Sequence, residues 1–133
     1  MDNLLYGEEC YKIQGAIFEI YKQLGCGHKE IVYHQALVHS LISLDFKVET
    51  EKKIPVIFNG KKVGSYTPDV IVNEVIMLEL KAKPFLTKQD TEQFWHYLTA
   101  TDYKVGLLIN FGKPGKVEII RRVYDTARSK SNV

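Results

Sequence analysis

Cysteine is scarce, with Cys10 and Cys26 the two present among 133 residues. Their separation is not a metal-ligand spacing, so the pair reads as free thiols of a reducing, cytoplasmic compartment. No apolar run approaches the ~20 residues that span a bilayer, and no membrane partner is expected. The opening MDNLLYGEECYK has no basic stretch followed by a long apolar one, so it does not read as a signal peptide. Charge of neither sign dominates: 18 Lys and Arg stand against 16 Asp and Glu, a formal net charge of +2. That balance neither demands nor excludes nucleic acid, because a local patch matters more than the sum. Internal repeats, linkers, a helix-turn-helix and zinc-finger spacing are all missing, so little sequence specificity is expected of any nucleic-acid contact.

What remains is the composition of an ordinary folded domain, 45% hydrophobic and 26% charged. The length suits one domain over residues 1–133, with a core from about 11 to 123 and a frayed tail over 124–133. Ile13, Ile17, Ile20 and Leu24 recur at helical spacing and predict a helix over 6–24, ended by the glycines of LGCGHKE. A second helix is expected from about 30 to 44, burying Val32, Ala36, Leu37, Leu41 and Leu44. Lys47 to Phe58 alternates loosely and reads as a strand, with Pro55 favouring an edge or a bulge. Asn59-Gly60 predicts a hairpin into a strand over Lys61–Val72, and a tight turn at Asn73-Glu74 leads to a third strand, Val75 to Lys81. Thr87 can cap a helix from Lys88 to about Thr99, with Asp90 in its first turn. Lys104 to Phe111 is nearly all apolar, as in a strand buried on both faces, and Val117 to Val123 reads as a last strand. The order α-α-β-β-β-α-β-β implies three antiparallel strands and then a crossover helix that lays a buried strand beside them.

The stretch SYTPDVIVNEVIMLELKAK puts charge where strands rarely carry it. A turn at Asn73-Glu74 places Asp69 opposite Glu79 or within one position of it, and cross-strand Cβ atoms lie only ~5 Å apart. Glu79 and Lys81 share a face, while Leu78 and Leu80 point into the core. Two bare carboxylates that close repel, and one would keep its proton unless a divalent cation lay between them. Oxygen ligands and water suit Mg²⁺, which can polarise a phosphate and acidify a water, with Lys81 placed to orient that water. Spacing alone leaves a solvated, salt-bridged strand pair open as the commoner alternative. Gln93 and Tyr97 lie four apart on one helix face, suited to a phosphate, a base edge or the Lys81 amine. Glu30, in the first turn of the second helix, is either a plain N-terminal acid or a third oxygen ligand.

Pro68-Asp69 followed by Glu79-Leu80-Lys81 resembles the core signature of the PD-(D/E)XK nuclease superfamily, and Gln93-x-x-x-Tyr97 resembles the extra motif of its RecB-like branch. From Tyr11 to Val123 the chain is similar to a small group called GxxExxR proteins. The similarity takes in the Leu24-Gly25-Cys26-Gly27 turn, Glu30, Gly64-x-Tyr66 and the run Val105 to Gly112. Gly27 and Glu30 match the name-giving motif, but tyrosine replaces arginine at position 33. The resemblance implies an α/β, restriction-endonuclease-like fold, with a mixed central sheet flanked by helices. It implies a Mg²⁺-dependent nuclease, Mn²⁺ substituting, that leaves a 5′-phosphate and a 3′-hydroxyl. Asp69, Glu79, the Leu80 carbonyl and Glu30 would hold the metal, Lys81 would be the catalytic lysine, and Gln93 and Tyr97 would organise the substrate. The alternative on the same fold is a catalytically silent nucleic-acid-binding or assembly domain.

A nuclease also needs grip on phosphates. Lys52, Lys53, Lys61, Lys62, Lys83 and Lys88 are candidates for contacting nucleic acid, DNA being expected, and Arg121, Arg122 and Arg128 would extend the patch. Double-strand cleavage by one small domain would call for a twofold homodimer.

Overall fold

The computed structural model describes residues 4–124. The tail expected beyond them, with Arg128, lies outside the described residues. Ten elements follow in chain order: α1 (Gly7–Leu24), α2 (Glu30–Ser43), β1 (Val48–Glu49), β2 (Ile54–Phe58), β3 (Lys61–Tyr66), β4 (Val70–Val72), β5 (Ile76–Lys81), α3 (Lys88–Ala100), β6 (Val105–Asn110) and β7 (Glu118–Val123). The main sheet has five strands in the order β1-β4-β5-β6-β7, while β2 and β3 form a ribbon of their own. β5 and β6 run parallel, joined by the α3 crossover, and the other pairs are antiparallel. This is a mixed α/β domain, a five-stranded mixed sheet flanked by helices.

Alternation along the strands divides the core in two. Leu78, Leu80, Leu107 and Ile109 pack under α1 and α2 against Ile13, Ile17, Leu37 and Leu41. Ile71, Met77 and Leu108 face the other way, against Phe94 and Leu98 of α3. Every residue of β6 is buried, as its unbroken apolar run predicts. At Gly106 an added Cβ would come within 2.8 Å of the Phe94 ring, so glycine is what lets α3 lie this close to β6. No helix among the described residues is long and apolar enough to cross a membrane.

Three expectations need correcting. The strand expected over Lys47–Phe58 is two strands in two different sheets, parted at Glu51, whose φ of 59° turns the chain. The strand expected over Lys61–Val72 also divides, because Pro68 has no N–H to give a ladder. The three-stranded antiparallel unit is therefore β1-β4-β5, with the β2–β3 hairpin set apart from it. The third correction concerns α2, which buries Tyr33, Leu37 and Leu41 along a single four-residue row. Val32 and Leu44 stay 38% and 43% exposed. Tyr33 stacks flat on Phe111 with ring centroids 4.5 Å apart, and its hydroxyl donates to the Gly25 carbonyl at 2.6 Å. The tyrosine at position 33 thus pins the α1–α2 turn from inside the core, a place that would not suit a solvated arginine.

Both short turns are as expected. Asn59 and Gly60 have φ of 50° and 77°, and Asn73 and Glu74 have 51° and 62°, all in the left-handed region that two-residue hairpins require. Thr87 and Asp90 form a reciprocal capping box at the start of α3.

Candidate active site

β4 and β5 pair Val70 with Leu78 and Val72 with Ile76, so one step further Asp69 meets Glu79. The ladder itself stops at Val70, and side chains take it over. Asp69 Oδ2 accepts from the Leu80 backbone N–H at 2.8 Å, and the Asp69 N–H donates to Glu79 Oε1 at 3.0 Å. Each acid is thus fixed by one oxygen to the partner strand, and its second oxygen is left for other company. Glu79 follows Met77 on the α3 side of the sheet, and Lys81 comes next on that side.

Electrostatics record the crowding. Burial, then the neighbouring Asp69 charge, pushes the Glu79 carboxyl up to about 7, against the opposing pull of the Tyr66 hydroxyl, the Asp69 N–H and Lys81. Burial and Asp69 also raise Glu30, opposed by Lys81 and His34, so Glu30 lies within electrical reach of both strand residues. Lys81 enters no ion pair among the described residues, which leaves its amine uncommitted.

Two residues that the sequence did not single out for a role complete the surroundings. The Tyr66 hydroxyl is buried beside the Glu79 carboxylate without closing a well-aligned hydrogen bond to it, and burial plus that charge keep the phenol protonated. His34, one turn along α2 from Glu30, has Nε2 at 3.0 Å from the Asp69 carbonyl, which braces the corner at Pro68-Asp69. The signal for His34 was its four-residue spacing from Glu30. For Tyr66 it was only its place at the end of a strand leading to Pro68-Asp69.

Gln93 and Tyr97 reach the carboxylates indirectly. Gln93 Nε2 donates to the Tyr97 hydroxyl at 3.2 Å, and the Tyr97 ring stacks on Tyr66 with centroids 3.7 Å apart. A chain of contacts therefore runs Gln93, Tyr97, Tyr66, Glu79.

The lysines separate into two groups. Lys83 pairs with Asp90 at 2.8 Å, Lys52 with Glu49 at 3.5 Å and Lys88 with Glu92 at 3.7 Å. Lys53, Lys61 and Lys62 form no ion pair among the described residues, and Lys61 and Lys62 stand exposed on β3. Arg121 donates to the Leu5 carbonyl at 2.6 Å and Arg122 to the Arg121 carbonyl at 3.1 Å, both from the edge strand β7.

The donor set fits a hard cation in part. Among the described residues no three His, Cys, Asp or Glu side chains form a ready-made cage. Two adjacent carboxylates, one of them driven to hold a proton by burial and then by the charge of the other, are nonetheless what a divalent ion would relieve. Mg²⁺ ordinarily takes one or two protein carboxylates and fills its remaining positions with water and phosphate oxygens.

The segment carrying Lys81 is held from behind. Asn110 is fully buried at the end of β6, and its side chain makes four hydrogen bonds. Oδ1 accepts from the N–H groups of Lys83 and Gly112, and Nδ2 donates to the Lys83 carbonyl and to Glu118. With every site satisfied, this buried amide fixes where the chain leaves β5.

A family model described as the PD-(D/E)XK nuclease superfamily matches residues 7–123. No curated protein matches the chain. Among solved structures, SSO0001 is similar at 20% identity with a TM-score of 0.50, covering 92% of this chain. The match spans 62% of the SSO0001 chain, and at that identity it speaks for the fold alone.

Proposed function

The chain belongs to the PD-(D/E)XK nuclease superfamily, and on that premise we propose that it is a metal-dependent nuclease hydrolysing DNA phosphodiester bonds with little sequence preference. The observation that carries this reading is the clasp of Asp69 and Glu79 across β4 and β5, with Lys81 next on the same face. Within the superfamily we place it among the GxxExxR proteins, on Gly27, Glu30 and the Gly64-x-Tyr66 approach to Pro68-Asp69.

In this scheme Asp69, Glu79, the Leu80 carbonyl and Glu30 would hold Mg²⁺ or Mn²⁺. When bound, the ion supplies positive charge at the phosphate and acidifies water. Lys81, in no ion pair among the described residues, orients the attacking water and offsets charge developing on the phosphate. Tyr66 donates toward Glu79 and favours its ionised form. Gln93 and Tyr97 hold the strand flanking the scissile bond. Attack on phosphorus leaves a 5′-phosphate and a 3′-hydroxyl. One domain has one such site, so cutting both strands of a duplex would take two copies.

The test is cleavage of single-stranded, duplex and flapped DNA and of RNA with Mg²⁺ or Mn²⁺, with Asp69→Ala and Lys81→Ala alongside. Metal-dependent cleavage lost in both variants, with the fold retained, is the expected result. Equal cleavage by wild type and variants, or metal-independent binding with no cleavage by any of them, overturns it.

A further inference from the structure

The β2–β3 hairpin is joined to the body at its base, where Ile54 and Tyr66 pack against the α3-side core. Beyond that base it stands in water, and Ile57, Phe58 and Val63 are 56%, 64% and 58% exposed. A two-stranded ribbon with both faces wet is marginal by itself, and large apolar side chains at its tip do nothing for its own stability. The pairing shifts register between Val56 and Ile57, a bulge that twists the ribbon and blunts its edge against strand pairing with another chain.

The pairing also decides which side chains share a face. Ile54 lies across from Tyr66, Val56 from Gly64 and Phe58 from Lys61, and these three pairs alternate onto one face. That face begins at the Tyr66 hydroxyl, beside Glu79, and ends at the Phe58 ring and the Lys61 amine, roughly 15 Å further along the strand at ~3.3 Å per residue. Between them sits Gly64, where an added Cβ would meet nothing within 4 Å, so the lane is open. From Lys53 to Tyr66 the chain carries three lysines and no acid, and none of the three forms an ion pair among the described residues.

We propose that this face of the hairpin is a guide for single-stranded DNA running out of the active site, with Phe58 stacking on an unpaired base and Lys61 contacting the phosphate beside it. The proposal rests on the nuclease reading for what lies at the other end of the lane. An exposed phenyl ring beside an unpaired ammonium matches the two needs of a single strand, a stacking platform and a positive charge. A duplex keeps its base faces stacked inside, so the Phe58 ring favours the unpaired strand.

The experiment is fluorescence anisotropy of the intact chain with a labelled oligo-dT strand and with a blunt duplex, in EDTA so that nothing is cut. Phe58→Ala is expected to weaken single-strand binding by about tenfold and duplex binding by less than about twofold. Lys61→Ala is expected to flatten the logarithmic salt dependence of single-strand binding by about 0.7. Phe18→Ala, a similarly exposed aromatic on α1 across the sheet, is expected to change neither. A Phe58→Ala variant that binds oligo-dT like Phe18→Ala overturns the guide, as does one whose sole change is loss of a dimer in sedimentation. Wild-type cleavage with Mg²⁺ alongside unchanged Phe58→Ala binding would remove the guide and leave the nuclease. Phe58-dependent binding without cleavage would do the reverse.

Discussion

Asp69 and Glu79 hold each other through the backbone: the Asp69 N–H donates to Glu79 Oε1 at 3.0 Å, while Asp69 Oδ2 takes the Leu80 N–H at 2.8 Å. A carboxylate here does the work of a ladder carbonyl, so structure and chemistry can be separated by substitution. Asp69→Asn keeps an oxygen acceptor for the Leu80 N–H and is expected to unfold within about 1 kcal/mol of wild type. Asp69→Ala leaves that N–H unmet and is expected to lose about 1–3 kcal/mol in urea melts. Both are expected to cut nuclease turnover by at least about a hundredfold, since neither restores the negative oxygen.

On the proposed metal site, the Glu79 proton and a bound cation exclude each other. Its folded pKa of about 7 lies above the unfolded value of 4.5, because of burial and then Asp69. The stabilisation that the bound proton contributes is therefore complete below 4.5 and lost as pH rises through about 7. A cation competes with that proton. Calorimetry in buffers of differing ionisation enthalpy is expected to find about one proton released per Mg²⁺ at about pH 5.5, falling toward none at about pH 8.5. Proton release that does not change with pH would contradict this.

Tyr66→Phe keeps the stack on Tyr97 and removes the hydroxyl that draws Glu79 downward. The acid limb of the kcat/KM profile should move to higher pH. Activity near neutrality is expected to drop about three- to tenfold and to recover in more alkaline buffer. A uniform loss at every pH would mean that the hydroxyl acts elsewhere.

Asp90 gives a second pH signature, of opposite sign. Burial pushes its carboxyl up, but the Lys83 ammonium and the Thr87 N–H and hydroxyl outweigh it and hold the group at about 2. The unfolded value is 3.8, so its contribution is present above that pH and lost as pH falls through about 2. We expect about 1–2 kcal/mol from this cluster at neutral pH, and Lys83→Ala to remove most of it. Denaturant melts at about pH 7 and pH 2.5 should show the wild-type advantage over the variant shrinking at the lower pH.

Much of the architecture was legible because burial leaves a period in the sequence. The all-apolar β6, the two left-handed turns and the Thr87 cap each follow from a local rule. The buried stripe of α2 differs from its apolar pattern because Val32 and Leu44 are more apolar than Tyr33, yet only the tyrosine has both a ring to stack on Phe111 and a carbonyl to meet. The division of the early strands is hidden in the sequence because a loose alternation runs on past Glu51 while the chain turns there. In the candidate site, the meeting of Asp69 with Glu79 follows from counting across one short turn. Tyr66 and His34 leave only the faint signals of position and spacing, since the groups they meet lie on other elements. The pairing of Lys83 with Asp90 was equally hidden, because the path between β5 and α3 is set by Asn110 on a later strand.

The two halves of the candidate site differ in how far along the chain their supports lie. Asp69 and Glu79 are brought together by one hairpin of adjacent strands, a contact of low sequence separation that can close within microseconds. Lys81 gets its neighbour only after the whole α3 crossover has folded back to lay down β6, a long-range closure that is entropically slower. During refolding the chain should therefore acquire affinity for divalent ions before it acquires the means to use them, and metal in the refolding buffer should speed the early step while leaving the late one unchanged.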